Sequence, residues 1–87
     1  MADYIEAPID SWLAGFDGRV LEIFSPYPAG STRHHVGLLV GLEIDGTTLT
    51  ATFERSDKGF WPFTEDQRPQ VEALVAAINA ARSRPRA

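Results

Sequence analysis

The sequence predicts an α+β domain, in which an antiparallel β-meander of four or five strands is closed by one C-terminal α-helix. Two observations predict the sheet: apolar residues alternate with other residues over positions 36–55, and Asp-Gly pairs at 17–18 and 45–46 separate extended runs. A third observation predicts the helix, because an apolar stripe with helical spacing begins at Val71. Each element has one apolar side to bury, so we expect the helix to pack on the sheet.

The clearest element is a β-hairpin over residues 36–55. Neighbouring side chains of a strand point to opposite faces, so a period of two predicts one buried face. The residues that we expect on this face are Val36, Leu38, Val40, Leu42, Ile44, Leu49, Ala51 and Phe53. Asp45-Gly46 predicts the turn between the strands, because a type I′ turn needs positive φ at both central residues.

Shorter strands are predicted on both sides of this hairpin. The Asp17-Gly18 pair joins a strand over residues 12–16 to a strand over residues 19–25. Residues 25–32 contain two prolines and a glycine, a composition that ends the strand and predicts an irregular loop. The last strand, over residues 60–63, is expected to be short or to lie at an edge, because its proline cannot donate a ladder hydrogen bond.

The C-terminal helix is predicted from its start signals and its apolar stripe. Thr64 and Asp66 are both candidate N-caps. Pro69 must lie in the first turn, where its missing N–H has no partner to lose, and this favours Asp66 as the cap. The apolar stripe has the spacing i, i+3, i+4, i+7 and consists of Val71, Leu74, Val75 and Ile78.

Composition describes a small globular domain and excludes several classes of protein. The chain has 87 residues, of which 44% are hydrophobic and 23% charged, as is typical of folded proteins. No apolar run approaches the ~20 residues of a membrane span. The absence of cysteine excludes disulfides and thiolate chemistry, and it fits a cytoplasmic location. The net charge of -4 argues against nucleic acid as the main partner, because such binding depends on neutralising phosphates.

The order of elements resembles small bacterial domains with a pleckstrin-homology-like fold, which are common in actinobacteria and their phages. The resemblance covers residues 16–82 and depends on the segment Arg33-His34-His35-Val36 and on residues 63–69, which lead into an Ala/Val-rich helix. It implies a strongly bent sheet capped by the C-terminal helix, with non-enzymatic roles in binding lipid headgroups, peptides or proteins. A full seven-stranded barrel leaves little room in 87 residues, so we expect an incomplete barrel or one that a second copy completes.

We divide the chain into an N-terminal arm at residues 1–10, a single domain at residues 11–82 and a basic tail at residues 83–87. Within the arm, the segment Tyr4–Ile9 is expected to pair with a sheet edge, either its own or that of a neighbour. The tail is expected to be solvated, and its positive charge suits the C-terminus of a helix.

The sequence contains no recognisable constellation of catalytic groups. His34 and His35 are the only histidines, and adjacent strand residues point to opposite faces, where they cannot easily share a metal ion. No serine lies in a nucleophile-elbow pattern, and the glycines form no phosphate-binding motif. We therefore predict a protein that is not an enzyme and has neither cofactor nor metal.

The predicted function is protein interaction, with a homodimer as its expected form. Aromatic and large apolar side chains exceed what so small a core needs, and such side chains anchor interfaces. The candidate partner-binding residues are Tyr4, Ile5, Trp12, Tyr27 and Trp61. The alternative is a weak site for an anionic ligand or lipid headgroup, formed by Arg33, His34 and His35. This segment carries one permanent positive charge, fewer than inositol phosphate recognition generally needs.

Overall fold

A computed structural model describes residues 4–25, 31–54 and 58–82. Over these ranges the chain forms seven β-strands and one α-helix. The elements are β1 (Ile5–Ile9), β2 (Trp12–Phe16), β3 (Val20–Phe24), β4 (Ser31–His35), β5 (Leu39–Asp45), β6 (Thr48–Phe53), β7 (Lys58–Pro62) and α1 (Arg68–Arg82). The antiparallel α+β class and the C-terminal helix are confirmed. The expected count of four or five strands is wrong, because β1 and β4 also form.

The strands form two open antiparallel sheets rather than one continuous meander. Sheet A has the order β1-β2-β3-β4, and sheet B has the order β5-β6-β7. A 3-10 turn at Val36–Leu38 leads from one sheet to the other, and its Val36 N–H donates to the Arg19 carbonyl oxygen at 2.7 Å. His35 caps this turn, because its Nδ1 accepts a hydrogen bond from the Gly37 N–H at 3.0 Å. The chain therefore changes sheet once, directly after β4.

Residues 5–9, expected as part of an arm, are the first strand of sheet A. This strand pairs with β2 in a register that places Ile9 opposite Trp12. Ala7 and Ile9 are fully buried, so the strand contributes directly to the core. The turn that follows uses Asp10 at a φ of 57°, a left-handed conformation that aspartate tolerates better than most residues. The segment thus pairs with its own sheet, and the expected boundary at residue 10 does not separate an arm from the domain.

The predicted hairpin is present as β5 and β6, but its first strand starts later and changes phase. A two-residue turn forms at the predicted place, but its central residues are Gly46 and Thr47, and only Gly46 has a positive φ, of 62°. The expected type I′ turn with Asp45 and Gly46 at its centre is therefore wrong. A β-bulge between Leu39 and Gly41 inserts one extra residue, which shifts the alternation of the strand. Leu39 is therefore buried, whereas Val40 is 58% exposed, and Leu38 lies in the preceding 3-10 turn at 51% exposed. The expectation that residues 38 and 40 face the core is wrong.

The β2–β3 hairpin is confirmed at the predicted Asp17-Gly18 pair. Gly18 has a φ of 101°, and Oδ1 of Asp17 accepts hydrogen bonds from the N–H groups of Arg19 and Val20, both at 2.9 Å. These bonds favour the ionised carboxyl and lower the pKa of Asp17. The edge position expected for the last strand is also confirmed, because among the described residues β7 pairs with β6 alone. Of the expected loop, residues 26–30 lie outside the described residues, and β4 begins at residue 31.

The core lies between the two sheets and the helix. α1 packs against β1 and β5, and its stripe is confirmed by the complete burial of Val71, Leu74 and Ile78. A 3-10 turn at Glu65–Gln67 precedes α1, so Thr64 rather than Asp66 takes the cap position. The core residues are Ala7, Ile9, Ala14, Phe16, Leu21, Ile23, Leu39, Leu42, Leu49, Ala51, Phe63, Val71, Leu74 and Ile78.

Two polar side chains fasten the ends of α1 to the sheets. At the start, Oε1 of Gln67 accepts from the N–H of Asp10 at 2.7 Å, and Nε2 of Gln67 donates to the Asp10 carbonyl oxygen at 3.1 Å. At the end, Nε of Arg82 donates to the Leu39 carbonyl oxygen at 3.2 Å, and Nη2 donates to that of Val40. Asp10 follows the edge strand β1, and Leu39 and Val40 belong to the edge strand β5. The helix therefore closes the side of the domain formed by β1 and β5.

Candidate interaction surface

The residues expected to bind a partner do not form one surface. Tyr4 is 56% exposed and lies over the outer face of sheet A, away from the core. Ile5, Trp12 and Trp61 are half-buried and pack against the core. Tyr27 lies outside the described residues. Of the four that are described, only Tyr4 presents most of its surface to solvent.

Tyr4 forms one wall of a shallow pocket of about 160 Å³ on the outer face of sheet A. Its ring covers Gly15 so closely that a Cβ at that position would overlap the hydroxyl group. The hydroxyl donates to Oε2 of Glu6 at 3.1 Å. Partial burial, this hydrogen bond and the neighbouring carboxylates together raise the pKa of Tyr4. The remaining lining residues are Asp17, Val20, Glu22 and Arg33. Within this lining Arg33 pairs with Glu22, whereas Tyr4 binds Glu6 and Asp17 accepts hydrogen bonds from backbone N–H groups.

The three residues of the alternative anion site point in different directions. Arg33 lies on the outer face of sheet A, where its Nε pairs with Oε2 of Glu22 at 3.1 Å. His35 shares that face by alternation, and its Nδ1 is occupied by the Gly37 N–H. His34 turns toward sheet B on the other face of β4. The fold therefore gives an incoming anion no point at which these three side chains converge.

His34 instead joins the two sheets through an aromatic cluster. Its ring stacks on Phe53 of β6, with centroids 4.6 Å apart and planes at 30°. It also meets the edge of Trp61 of β7, at 6.4 Å and 61°. Partial burial lowers the pKa of His34, because the charged imidazolium loses hydration there. We call His34, Phe53 and Trp61 the seam cluster, since they lie between sheet A and sheet B.

The four sheet edges differ in how well they are covered. The β1 edge lies against α1, and the β5 edge is covered by α1 side chains, including Asn79, whose Nδ2 donates to the Leu42 carbonyl oxygen at 3.4 Å. Over residues 4–25, 31–54 and 58–82, no backbone hydrogen bond is made on the outer sides of β4 and β7. These two strands therefore offer unpaired N–H and C=O groups, which are templates for pairing with another chain.

The β7 edge carries the most exposed large apolar side chain of the described residues. Phe60 is 61% exposed at the middle of the strand. The register places it beside Thr50 of β6, which is opposite Glu43 of β5, so all three lie on the outer face of sheet B. Alternation along β7 predicts that Phe60 and Trp61 point to opposite faces, but sequence alone does not say which of them faces the core. The structure assigns the inner position to Trp61.

Neither a metal-binding cluster nor a similar protein indicates a function for this domain. In the part of the chain that the structure describes, no three His, Asp or Glu side chains are grouped to hold a metal ion. No helix among those residues is long and apolar enough to cross a bilayer. Comparison with protein-family models, curated proteins and solved structures gives no match.

Proposed function

We propose that this domain is a non-catalytic interaction module that associates with itself by antiparallel pairing of β7 with β7 of a second copy. The observation that carries the proposal is an unpaired edge strand with Phe60 exposed at its middle. Exposed edges and exposed aromatic side chains are both features that partners cover. Pairing would join two copies of sheet B into one continuous sheet.

Charge favours β7 over the other unpaired edge. β4 has Arg33 at its centre, so antiparallel pairing of two β4 strands about that residue would place two guanidinium groups side by side. Like charges that are directly opposite each other destabilise a strand pair. β7 has Lys58 only at its start, and pairing about Phe60 places Lys58 opposite Pro62 of the other copy. The two phenylalanine rings then meet at the two-fold axis.

The expected dimer is weak. A cross-strand aromatic pair contributes about 0.2–1 kcal/mol more than an alanine pair. A contact formed by one edge strand is small compared with the roughly 1,600 Å² of a standard stable interface. We therefore expect association at micromolar rather than nanomolar concentration.

Sedimentation velocity over a micromolar concentration series tests the proposal. The wild-type chain should shift from monomer to dimer, and Phe60→Glu should remain monomeric because it opposes two carboxylates at the two-fold axis. Tyr4→Glu is the matched control, since Tyr4 is an aromatic residue of similar exposure, 56% against 61%, beside the outer face of the other sheet. A wild-type monomer throughout, or a dimer that Tyr4→Glu disrupts and Phe60→Glu does not, would refute β7 pairing.

The relation to pleckstrin-homology-like domains stays a prediction. It is supported by seven strands divided into sheets of four and three and followed by a C-terminal helix, which fit within this short chain. The alternative function, binding of an anionic ligand or lipid headgroup by the segment 33–35, has less support because the three side chains diverge. Co-sedimentation with anionic vesicles tests that alternative, and uptake lost in Arg33→Ala would favour it.

A further inference from the structure

The seam cluster is the one place where a described histidine connects the two sheets. His34 belongs to β4, an edge strand of sheet A, whereas Phe53 and Trp61 belong to sheet B. The contact favours the neutral imidazole. A neutral ring can stack on an aromatic face, whereas a charged imidazolium would lose hydration in this partly buried position. Histidine is the side chain whose ordinary pKa brings a change of charge near neutral pH.

Burial displaces the pKa of His34, and no charged group of the described residues around it contributes to that shift. Its cross-strand partner on β3 is Leu21, and the neighbouring Glu22 lies on the opposite face, where it binds Arg33. The remaining charged or titratable groups on or next to the surrounding elements are Arg19 before β3, Arg33 and His35 on β4, Glu54 after β6 and Lys58 on β7. Arg33 and His35 alternate to the outer face of sheet A, and Lys58 shares the outer face of sheet B with Phe60. Arg19 and Glu54 are both exposed to solvent.

We propose that the seam cluster is a proton-sensitive contact, in which protonation of His34 withdraws the imidazole from Phe53 and Trp61 and loosens β4 from sheet B. The lost hydration of the cation drives this change, because no described carboxylate is placed to compensate for it. The direction of the pKa shift agrees with this proposal, because burial lowers the pKa of His34. The contact lies within one copy, so it does not depend on self-association.

One opposing effect decides the test. A protonated imidazole over an aromatic face gains a cation–π attraction, which favours the charged form and raises the pKa of the histidine. Loss of hydration acts in the other direction. The two effects therefore predict opposite displacements of the titration midpoint from the ordinary value of 6.5.

The chain allows a clean measurement, because it has two tryptophans and two histidines. In the double variant Trp12→Phe, His35→Asn, Trp61 is the single tryptophan and His34 the single histidine. Asparagine at position 35 keeps a side-chain acceptor for the Gly37 N–H. Trp61 emission and the His34 ring proton resonance are followed together from about pH 8 to about pH 5, at a dilution where the chain is monomeric.

We expect the Trp61 emission to shift to longer wavelength with a midpoint below 6.5, coincident with the His34 resonance. His34→Phe in the same background keeps a stacked ring and should abolish the emission shift. The proposal is overturned if the midpoint lies at or above 6.5, if His34 titrates while Trp61 does not respond, or if the shift persists in His34→Phe. Should His34→Phe fail to fold, the first two outcomes still decide the question.

Discussion

Gln67→Ala tests whether the hydrogen bonds of one side chain stabilise the packing of the helix start against the first hairpin. Gln67 makes three hydrogen bonds: two N–H groups, from Asp10 and Thr64, donate to its Oε1, and its Nε2 donates to the Asp10 carbonyl oxygen. Both backbone groups of Asp10 are therefore bound to a residue 57 positions away. Asp10 also holds a left-handed conformation, which costs a non-glycine residue about 1–2 kcal/mol. The Gln67 bonds help to offset that cost.

The expected loss of stability is about 1–2 kcal/mol. Each neutral hydrogen bond contributes about 0.5–1.5 kcal/mol net, so three bonds set an upper limit of roughly 4.5 kcal/mol. Two of the bonds share one acceptor oxygen and all are partly accessible to water, which brings the estimate to the lower part of that range. For a domain of this size, 1 kcal/mol corresponds to roughly 4–8 °C in Tm.

Thermal and urea unfolding of Gln67→Ala and Gln70→Ala measure this effect. Gln70 is an exposed residue of α1, so its replacement by alanine reports the gain in helix propensity without any loss of these bonds. We expect Gln67→Ala to melt at least about 4 °C below Gln70→Ala. If the two variants unfold together, Gln67 does not fasten the helix and the reasoning is refuted.

Three further predictions concern the core, the end of the helix and pH. Leu74→Ala should lower the free energy of unfolding by about 2–5 kcal/mol, because Leu74 is fully buried, and a loss below about 1 kcal/mol in urea denaturation would contradict its place in the core. Arg82→Ala should lower the free energy of unfolding by about 1–2 kcal/mol and speed amide exchange in the last turn of α1. Arg82→Lys should recover only part of this loss, and full recovery would show that the geometry of the guanidinium does not matter. Burial lowers the pKa of His34 below 6.5, so the unfolded chain binds a proton at this residue more tightly than the folded chain does. The contribution of neutral His34 to stability should therefore be fully present above that pH and be lost as the pH falls below it. The measurement uses His35→Asn, which removes the second histidine, and equal urea stability of this variant at about pH 7.5 and about pH 5.5 would exclude the linkage.

The carboxyls of Asp17 and Glu65 do not obscure the pH prediction in that window. The pKa of Asp17 is lowered by backbone hydrogen bonds, and that of Glu65 is lowered by its hydrogen bond to Arg68. Both carboxyls therefore stay ionised until well below the range in which His34 titrates. Their contribution to stability is lost only as the pH falls through their own lowered values.

The local elements of this domain were predictable from the sequence because their signals are local. Asp17-Gly18 and Asp45-Gly46 each mark a hairpin, because the glycine of each pair supplies a positive φ for the turn, although neither aspartate has one. The spacing of the stripe from Val71 to Ile78 determines the helix and the side on which it is buried. These features concern residues that are at most a few positions apart, so each could be recognised without knowledge of the rest of the chain.

The candidate site was less predictable, because it depends on which faces and edges the fold leaves uncovered. The aromatic surplus indicated an interaction surface, but it did not distinguish the exposed Phe60 from the half-buried Trp61 beside it. The sequence predicts a common anion site for the segment 33–35, yet alternation along β4 separates its side chains between two faces. Proximity in sequence is thus a poor guide to proximity in space within a strand.

By itself, the sequence determined that this chain forms antiparallel hairpins followed by an amphipathic helix. Only the tertiary structure decided that residues 5–9 enter the core, that a bulge exposes Val40, and that His34 reaches across to sheet B. The physical reason is sequence separation: Gln67 binds a residue 57 positions away, and Arg82 binds carbonyl groups 42 and 43 positions away. Such contacts depend on how the two sheets and the helix pack together, and no local pattern of residues determines that packing.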